Sequence, residues 1–570
     1  MSRRRRRRSP SAGRRFTISL GLCLIIAGAY LTVTEILPNP LHEKPDWRGM
    51  DKPIFVEGKL QDEPAEGAGE QLMLPLPVLQ KVVDPTIRYE SGTQSIILTT
   101  PVRVMRLQTG QKKAQLNNKP VELRFAPEEK DGVPYMPIQP LKELYGVNIH
   151  EDAATGAVIL MKAGDTIQMG AAKGQPDDKV KLRKGDSIHS PILADMKGGT
   201  PLRIWDSEGS WYFAQMDNGY SGYVRKDEVS LGDTKTIEIP PIPPTRAERS
   251  WKGKPINLAW EAVYQNKPDP AVLDGLDGVN VVSPTWFSII DGKGNVRSNA
   301  DMAYVNKAHA LKMEVWGLIN NSFDADITTS AMATYETRLN TISQLLELAQ
   351  MYHLDGINID FENVKTKDGP NITQFVRELK PLAQDRGLIL SVDVTPKSSS
   401  ELWSKFLDRS ALSEAADFIM LMAYDEHWAS SPEAGSVSSL PWAEAAARKI
   451  LDEDDVPPQK LILAVPLYTR IWSEASKNGK VEVSSKAVGM KTVKDILAEK
   501  KLKPKYLKDV KQHYVEYKED GVLKKIWIED AVSLQARVDL AKLLKLGGVA
   551  AWTRSFGTED AWKVLKGIQQ

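Results

Sequence analysis

From Lys254 to the C-terminus, short apolar runs alternate with longer amphipathic ones, and this rhythm restricts the fold more than any other feature of the chain. The runs are INLAW (from Ile256), GVNVVSPTW (Gly278), KMEVWGLI (Lys312), DGINIDFE (Asp355), LILSVDVT (Leu388), FIMLMAYD (Phe418), KLILAVPLY (Lys460) and GGVAAWT (Gly547). Their β-branched and aromatic content predicts strands. Ser330–Tyr352, Ile372–Arg386, Ala443–Leu451 and Leu534–Leu546 have helical spacing. Strand followed by crossover helix, eight times over residues 253–570, predicts a parallel (β/α)8 barrel of the TIM type. Ser473–Lys525 is too long for one crossover and predicts a small α+β insertion at about 473–525.

The fourth run carries the chemistry. In Leu354–Glu362, LDGINIDFE, the apolar Ile357 and Ile359 alternate with Asn358, Asp360 and Glu362. Period two puts the three polar side chains on one strand face, about 6.6 Å apart. Charges resist burial, and neighbouring carboxylates raise one another's pKa. A carboxyl kept protonated near neutral pH is what a general acid needs. The plainer reading is a strand end with solvated acids.

This run resembles the DxxDxDxE signature of family 18 glycoside hydrolases. Asp355, Asp360 and Glu362 match it, while Asn358 stands where most chitinases have Asp. The DGINIDFE form is similar to the branch with bacterial spore-cortex and cell-wall N-acetylglucosaminidases. MAYD, with Tyr424 and Asp425, matches the family's MxYD, and Trp552 ends the eighth strand where the family places a Trp under the sugar. Active sites of such barrels lie at the C-terminal strand ends. Trp260, Trp286 and Tyr468 end strands one, two and seven, and their shared location suits a saccharide cleft. Any one of these aromatics, taken singly, is more often core than ligand contact.

The resemblance implies a mechanism without metal or organic cofactor. Glu362 protonates the glycosidic oxygen, and the substrate's own 2-acetamido carbonyl attacks the anomeric carbon. Asp360 accepts the acetamido N–H, and Tyr424 donates to the acetamido carbonyl. Asn358 cannot ionise but can donate a hydrogen bond to Asp360. The implied partner is an N-acetylglucosamine-containing polysaccharide, with Asn358, Asp425 and the aromatics as substrate-binding candidates. The leading expectation is retaining hydrolysis of β-1,4 linkages in bacterial cell-wall glycan, peptidoglycan or spore cortex. A chitinase is the alternative. A non-catalytic glycan-binding protein is the alternative of another class, against which the retained Glu362, Asp360 and Tyr424 argue.

Upstream, LPLPVLQKVVDPTIRYESGTQSIIL (Leu74–Leu98) aligns without gaps on MPIQPLKELYGVNIHEDAATGAVIL (Met136–Leu160). Each copy predicts a short helix and a hairpin. With LNNKPVEL, the region 70–173 resembles the small α+β stalk module named after the N-terminal domain of copper amine oxidases, and serves as a spacer or a wall-binding unit. Region 178–232, with turns KGD, KGGT, SEGS and DNGYSG, resembles a bacterial Src-homology-three-type β-barrel. Its Trp211, Tyr212, Tyr220 and Tyr223 line a peptide groove or fill the barrel's core. Residues 38–69 and the Pro-rich 233–252 read as linkers.

Residues 1–15 form a basic arm with eight Arg and no acid, leaving 67 basic against 74 acidic residues elsewhere, which does not describe a nucleic-acid binder. Residues 16–37 are apolar over a length that spans a bilayer as a helix. Arginines before it predict a cytoplasmic N-terminus and an extracytoplasmic catalytic domain on a single-pass membrane anchor. Ala27-Gly28-Ala29 offers the competing reading, a cleaved signal peptide and a secreted enzyme. Apolar character continuing through Ile36 and Leu37 favours the retained anchor. Cys23 is the single cysteine, Leu22 before it is a poor lipobox residue, and the seven His are scattered.

Overall fold

The computed structural model describes residues 37–239, 251, 253–264, 267–477 and 480–570, which fall into two compact units. The basic arm, the apolar stretch up to Ile36 and most of the Pro-rich linker lie outside the described residues. No helix among the described residues is long and apolar enough to cross a membrane.

The first unit comprises the described parts of Met1–Ile87, Leu107–Ala114 and Val121–Pro241. The second repeat copy folds as helix Ile138–Tyr145, stopped by Gly146 at φ +63°, then hairpin strands Asn148–Glu151 and Val158–Met161. The region expected to be a linker, 38–69, is instead partly woven into this hairpin's sheet. Ile54–Val56 pairs in parallel with Val158–Leu160 and antiparallel with Lys59–Leu60. The short run PIFV buries Ile54, Phe55 and Val56, and burial of those side chains outweighs the turn-forming composition around it. The small β-domain is also larger than the sequence pattern predicts. Its seven-stranded sheet includes Thr166–Ala172 between Pro201–Glu208 and Val229–Thr236. Trp211 is buried, and Tyr212 and Tyr220 pack on the apolar core of that sheet, which favours the core reading of these aromatics.

The second unit comprises Arg88–Arg106, Gln115–Pro120 and Ile242–Gln570. Its centre is a closed barrel of eight parallel strands: β1 (Ile256–Glu261), β2 (Val281–Ile289), β3 (Glu314–Asn320), β4 (Gly356–Asp360), β5 (Ile389–Val394), β6 (Phe418–Met422), β7 (Leu461–Pro466) and β8 (Gly548–Trp552). Closure comes from β1, which pairs with β8 through Leu258↔Ala550 and with β2 through Leu258↔Val281. Inward-facing Leu258, Trp260, Trp316, Leu318, Phe418 and Met420 fill the interior, so the barrel is a packed core and not a channel. Gly356 makes room for that filling: a Cβ there would stand 2.8 Å from both the Trp316 ring and the Ile389 carbonyl oxygen. Outward-facing residues such as Ile357, Ile359, Leu390 and Val392 share a second core with the surrounding helices, which include Tyr335–Met351, Gly369–Gln384 and Ala531–Leu543.

After β7 the chain leaves the barrel for residues 468–528, a wider insertion than 473–525. It is a five-stranded antiparallel sheet with helix Met490–Glu499 packed on a small core of Val488, Val493, Val515, Ile526 and Ile528. Arg88–Arg106, the hairpin of the first repeat copy, packs within this unit. Ile97 and Val104 enter the core shared with the barrel helices. Glu90 accepts from the buried Arg338 guanidinium at 2.7 Å and from the Tyr335 backbone N–H at 2.8 Å, while Glu378 grips the same guanidinium with both oxygens.

Candidate active site

The strand alternation at β4 is visible in the burial. Ile357 and Ile359 point to the helices; Asn358 and Asp360 point into the barrel and are buried. The Asn358 amide makes three hydrogen bonds. Its oxygen accepts from Trp260 Nε1 at 2.9 Å and Ser283 Oγ at 3.1 Å, and its Nδ2 donates to Asp393 Oδ1 at 2.7 Å. None of these bonds goes to Asp360, which the sequence expects as the acceptor. The register sets Ser391, not Asp393, directly opposite Asn358, so the amide reaches Asp393 diagonally across the β4–β5 ladder.

Asp360 is 7% exposed, and its Oδ1 has no hydrogen-bond partner. Burial in the barrel mouth pushes its carboxyl up to about 7. Glu362 lies two residues past the end of β4 and is half-buried. Burial, then the negative charges of Asp360 and Asp425, hold its carboxyl well above the usual range. Asp393, on β5, is raised well above its ordinary value by burial and by Asp360, with the Asn358 hydrogen bond opposing. Tyr424, half-buried just after β6, has its hydroxyl raised by burial and by Tyr468, Asp393, Asp360 and Glu362, so it stays a hydrogen-bond donor. The structure thus brings Glu362, Asp360, Tyr424 and Asp393 into one low-dielectric cluster.

A cavity of about 820 Å³ opens on this cluster, lined by Glu362, Tyr424, Asp425, Trp403, Trp428 and Trp442 among others. Asp425 is exposed at φ +61°, where its Oδ1 accepts from Tyr468 Oη at 2.8 Å and Arg470 at 3.2 Å. Tyr468 is itself 5% exposed, so it holds Asp425 and presents no open face. Trp552 is half-buried and caps the barrel interior edge-on to Trp260, at 6.1 Å between ring centroids. Trp260 is buried beneath it as the donor to Asn358. Trp286 does not reach the cleft. The strand irregularity between Thr285 and Phe287 turns its ring outward, where it packs edge-on to Tyr304 at 5.5 Å. Asp355 sits at the opposite, N-terminal end of β4, with its Oδ2 2.8 Å from His309 Nε2 and accepting from the Val315 N–H.

Six residues of the site escape the sequence reading. Asp393 and Ser391 alternate with Leu390 and Val392 in LILSVDVT, so the period-two signal was present there. Asn321, whose side chain binds the Glu362 backbone, follows β3 with no pattern to mark it. Arg470 lies in the insertion, and the exposed Trp403 and Trp428 lie in loops, which carry no periodicity.

Comparison with known proteins gives a matching picture. Residues 299–557 match the model for Glycosyl hydrolases family 18, and residues 55–160 match the Copper amine oxidase N-terminal domain. The chain is 25% identical over 302 residues to the uncharacterized glycosylase YvbX of Bacillus subtilis (strain 168), covering 50% of this chain and 84% of that one. It is 27% identical over 254 residues to the cortical fragment-lytic enzyme of Bacillus anthracis, covering 43% of this chain and only 57% of that relative. Among solved structures, the spore cortex-lytic enzyme SleL of Bacillus megaterium QM B1551 aligns with a TM-score of 0.50 at 20% identity, over 59% of this chain and 77% of that one, which is a likeness of fold.

Proposed function

The barrel domain of this chain belongs to glycosyl hydrolase family 18, and from that premise we propose that the chain hydrolyses β-1,4 linkages of an N-acetylglucosamine-containing cell-wall glycan with retention. The observation that carries this is the buried pair Asp360–Glu362 beside Tyr424 at the mouth of the 820 Å³ cavity. A carboxyl that burial and neighbouring charge push well above its usual range, with a partnerless carboxylate oxygen next to it, fits a general acid and an acceptor awaiting a substrate N–H.

In this reading Glu362 gives its proton to the leaving oxygen as the glycosidic bond breaks. The acetamido carbonyl oxygen closes on the anomeric carbon, forming an oxazolinium ion. Asp360 takes the acetamido N–H in hydrogen bond and balances the growing positive charge, and the Tyr424 hydroxyl donates to the acetamido oxygen. Glu362, now ionised, removes a proton from water, which opens the ring and restores the acid. Two inversions at one carbon leave the β configuration. Trp403 and Trp428 offer exposed faces along the cavity for neighbouring sugars.

Peptidoglycan or spore cortex is the proposed substrate. The similarity to cortical fragment-lytic enzymes supports it, as does the N-terminal arrangement of basic arm and apolar segment, which we read as an anchor holding the enzyme outside the cytoplasmic membrane. Mass spectrometry of products from purified wall and from chitin oligomers tests the substrate. New N-acetylglucosamine reducing ends from wall material are expected; cleavage of chitin oligomers alone would transfer the reading to a chitinase.

A further inference from the structure

The carboxyl of Asp393 has no part in the reaction described above, yet it is buried deep in the barrel. Along the β4–β5 ladder the paired residues are Asn358↔Ser391 and Ile359↔Val392. The ladder ends there; the same register carried one residue further puts Asp360 opposite Asp393, on strands about 4.8 Å apart, and the Asp360 charge is the largest acting on Asp393. Both side chains take the inward face, since Ile359 and Val392 between the polar positions go to the outer core. Asp393 is 3% exposed and is held by the 2.7 Å bond from Asn358 Nδ2, whose oxygen is in turn pinned by Trp260 and Ser283. Two carboxyls thus face one another in a dry site, one clamped from below and the other with an oxygen unpartnered.

Resting on the glycosidase reading, we infer that Asp393 is a positioning residue that shares one proton with Asp360, holding it so that Asp360 meets the substrate's acetamido N–H as an anion. The proton passes between Asp360 and Asp393, so the pair carries one negative charge and one proton throughout and no other reagent is needed. The Asn358 bond fixes which way the Asp393 carboxyl is turned, leaving its second oxygen for Asp360. Among the described residues the titratable groups facing Asp393 are Asp360 and Glu362 from the end of β4 and Tyr424 after β6; no Lys, Arg or His is among them. Two carboxyls with no cation beside them cannot both ionise cheaply, which favours the shared proton.

Asp393→Ala and Asp393→Asn separate this role from packing. With full-length enzyme on N-acetylglucosamine oligomers, Asp393→Ala is expected to lower kcat about tenfold or more with KM within about threefold, because a hydrogen bond to a charged group is lost. The acid limb of its kcat profile moves to higher pH, since Asp360 has lost the donor that favoured its ionised form. Asp393→Asn, whose amide donates as the protonated acid does, is expected to recover at least about threefold of that loss. The inference is overturned if Asp393→Ala keeps kcat within about twofold, if its acid limb stays in place, or if Asn serves no better than Ala. A measurement without substrate separates this from failure of the glycosidase reading, and it holds should Asp393→Ala not fold. Infrared spectra of Glu362→Gln are expected to show a protonated-carboxyl band persisting above pH 7 that vanishes in Glu362→Gln/Asp393→Asn. Absence of that band in the first protein, or its survival in the second, removes the shared proton.

Discussion

Asn321 clasps the backbone of Glu362 from both sides. Its Oδ1 accepts the Glu362 N–H at 3.1 Å, and its Nδ2 donates to the Glu362 carbonyl at 2.7 Å. The same Nδ2 reaches Thr328 Oγ1 at 2.8 Å, so one fully buried amide ties the end of β4 to the loop after β3 and helix Ala325–Ala331. Glu362 stands beyond the last paired residue of its strand, and without this clasp no sheet hydrogen bond would fix its position. Asn321→Ala should therefore reduce kcat by about tenfold to a hundredfold while KM changes little, because small displacements of an acid are costly. A parallel loss of about 3 kcal/mol in stability is expected from three broken bonds. Steady-state kinetics and thermal unfolding together check it.

Asp360 makes the folded state pH-sensitive. Its carboxyl is raised to about 7 by burial, well above its unfolded value, so the folded chain binds a proton more tightly than the unfolded one. That contribution is fully present below about pH 4 and is lost as pH rises through 7. Asp360→Asn removes the penalty and is expected to raise stability at pH 8, with the gain fading towards pH 4. The same variant should lose most activity at every pH. Tm measured from pH 4 to 8 reads the first effect, and a glycan assay the second.

The strand pattern predicts all eight barrel strands and the inward face shared by Asn358 and Asp360, because alternation and β-branched runs reflect the barrel's two-sided burial directly. What the pattern missed depends on contacts between distant segments. Asn358 donates diagonally across the β4–β5 ladder to Asp393 and not to Asp360, a contact between distant segments that single-strand alternation does not show. Trp286 ends a strand as Trp552 does, yet an irregularity in β2 turns it away from the cleft. Ile54–Val56 lies in a stretch whose Pro and Gly content concealed three strand residues. The repeat places the hairpin Arg88–Arg106 with the stalk, but its Glu90 neutralises a buried arginine of the barrel's own helix.

That last contact has a measurable consequence. Arg338 is fully buried and shared by Glu90 and Glu378, both oxygens of Glu90 being engaged. Glu90→Ala would leave the guanidinium half-compensated and strip the acceptor from the Tyr335 N–H. A loss of about 3 kcal/mol or more is expected, with kcat near the wild-type value at temperatures where the variant is folded. Urea unfolding followed by a rate measurement at low temperature separates the two.

The aromatic residues split into cleft and core by exposure. Trp428 is 51% exposed on the cavity wall, while Trp286 is 1% exposed behind the barrel. Trp428→Ala should raise KM for long glycans about threefold to tenfold and leave Tm nearly unchanged. Trp286→Ala should cost about 3–5 kcal/mol of stability through the cavity it creates. KM on oligomers of increasing length, set against Tm, distinguishes them.

Glu362→Gln keeps the shape of the acid and removes its proton, so it tests the central claim most directly. Reducing ends released from purified cell wall by the wild type and by this variant, at matched concentration and with binding confirmed by co-sedimentation, give the measurement. Release by the variant is expected to fall by about a hundredfold or more while the protein still sediments with the wall; equal release by both would contradict Glu362 as the proton donor, and with it the hydrolytic role assigned to the barrel mouth.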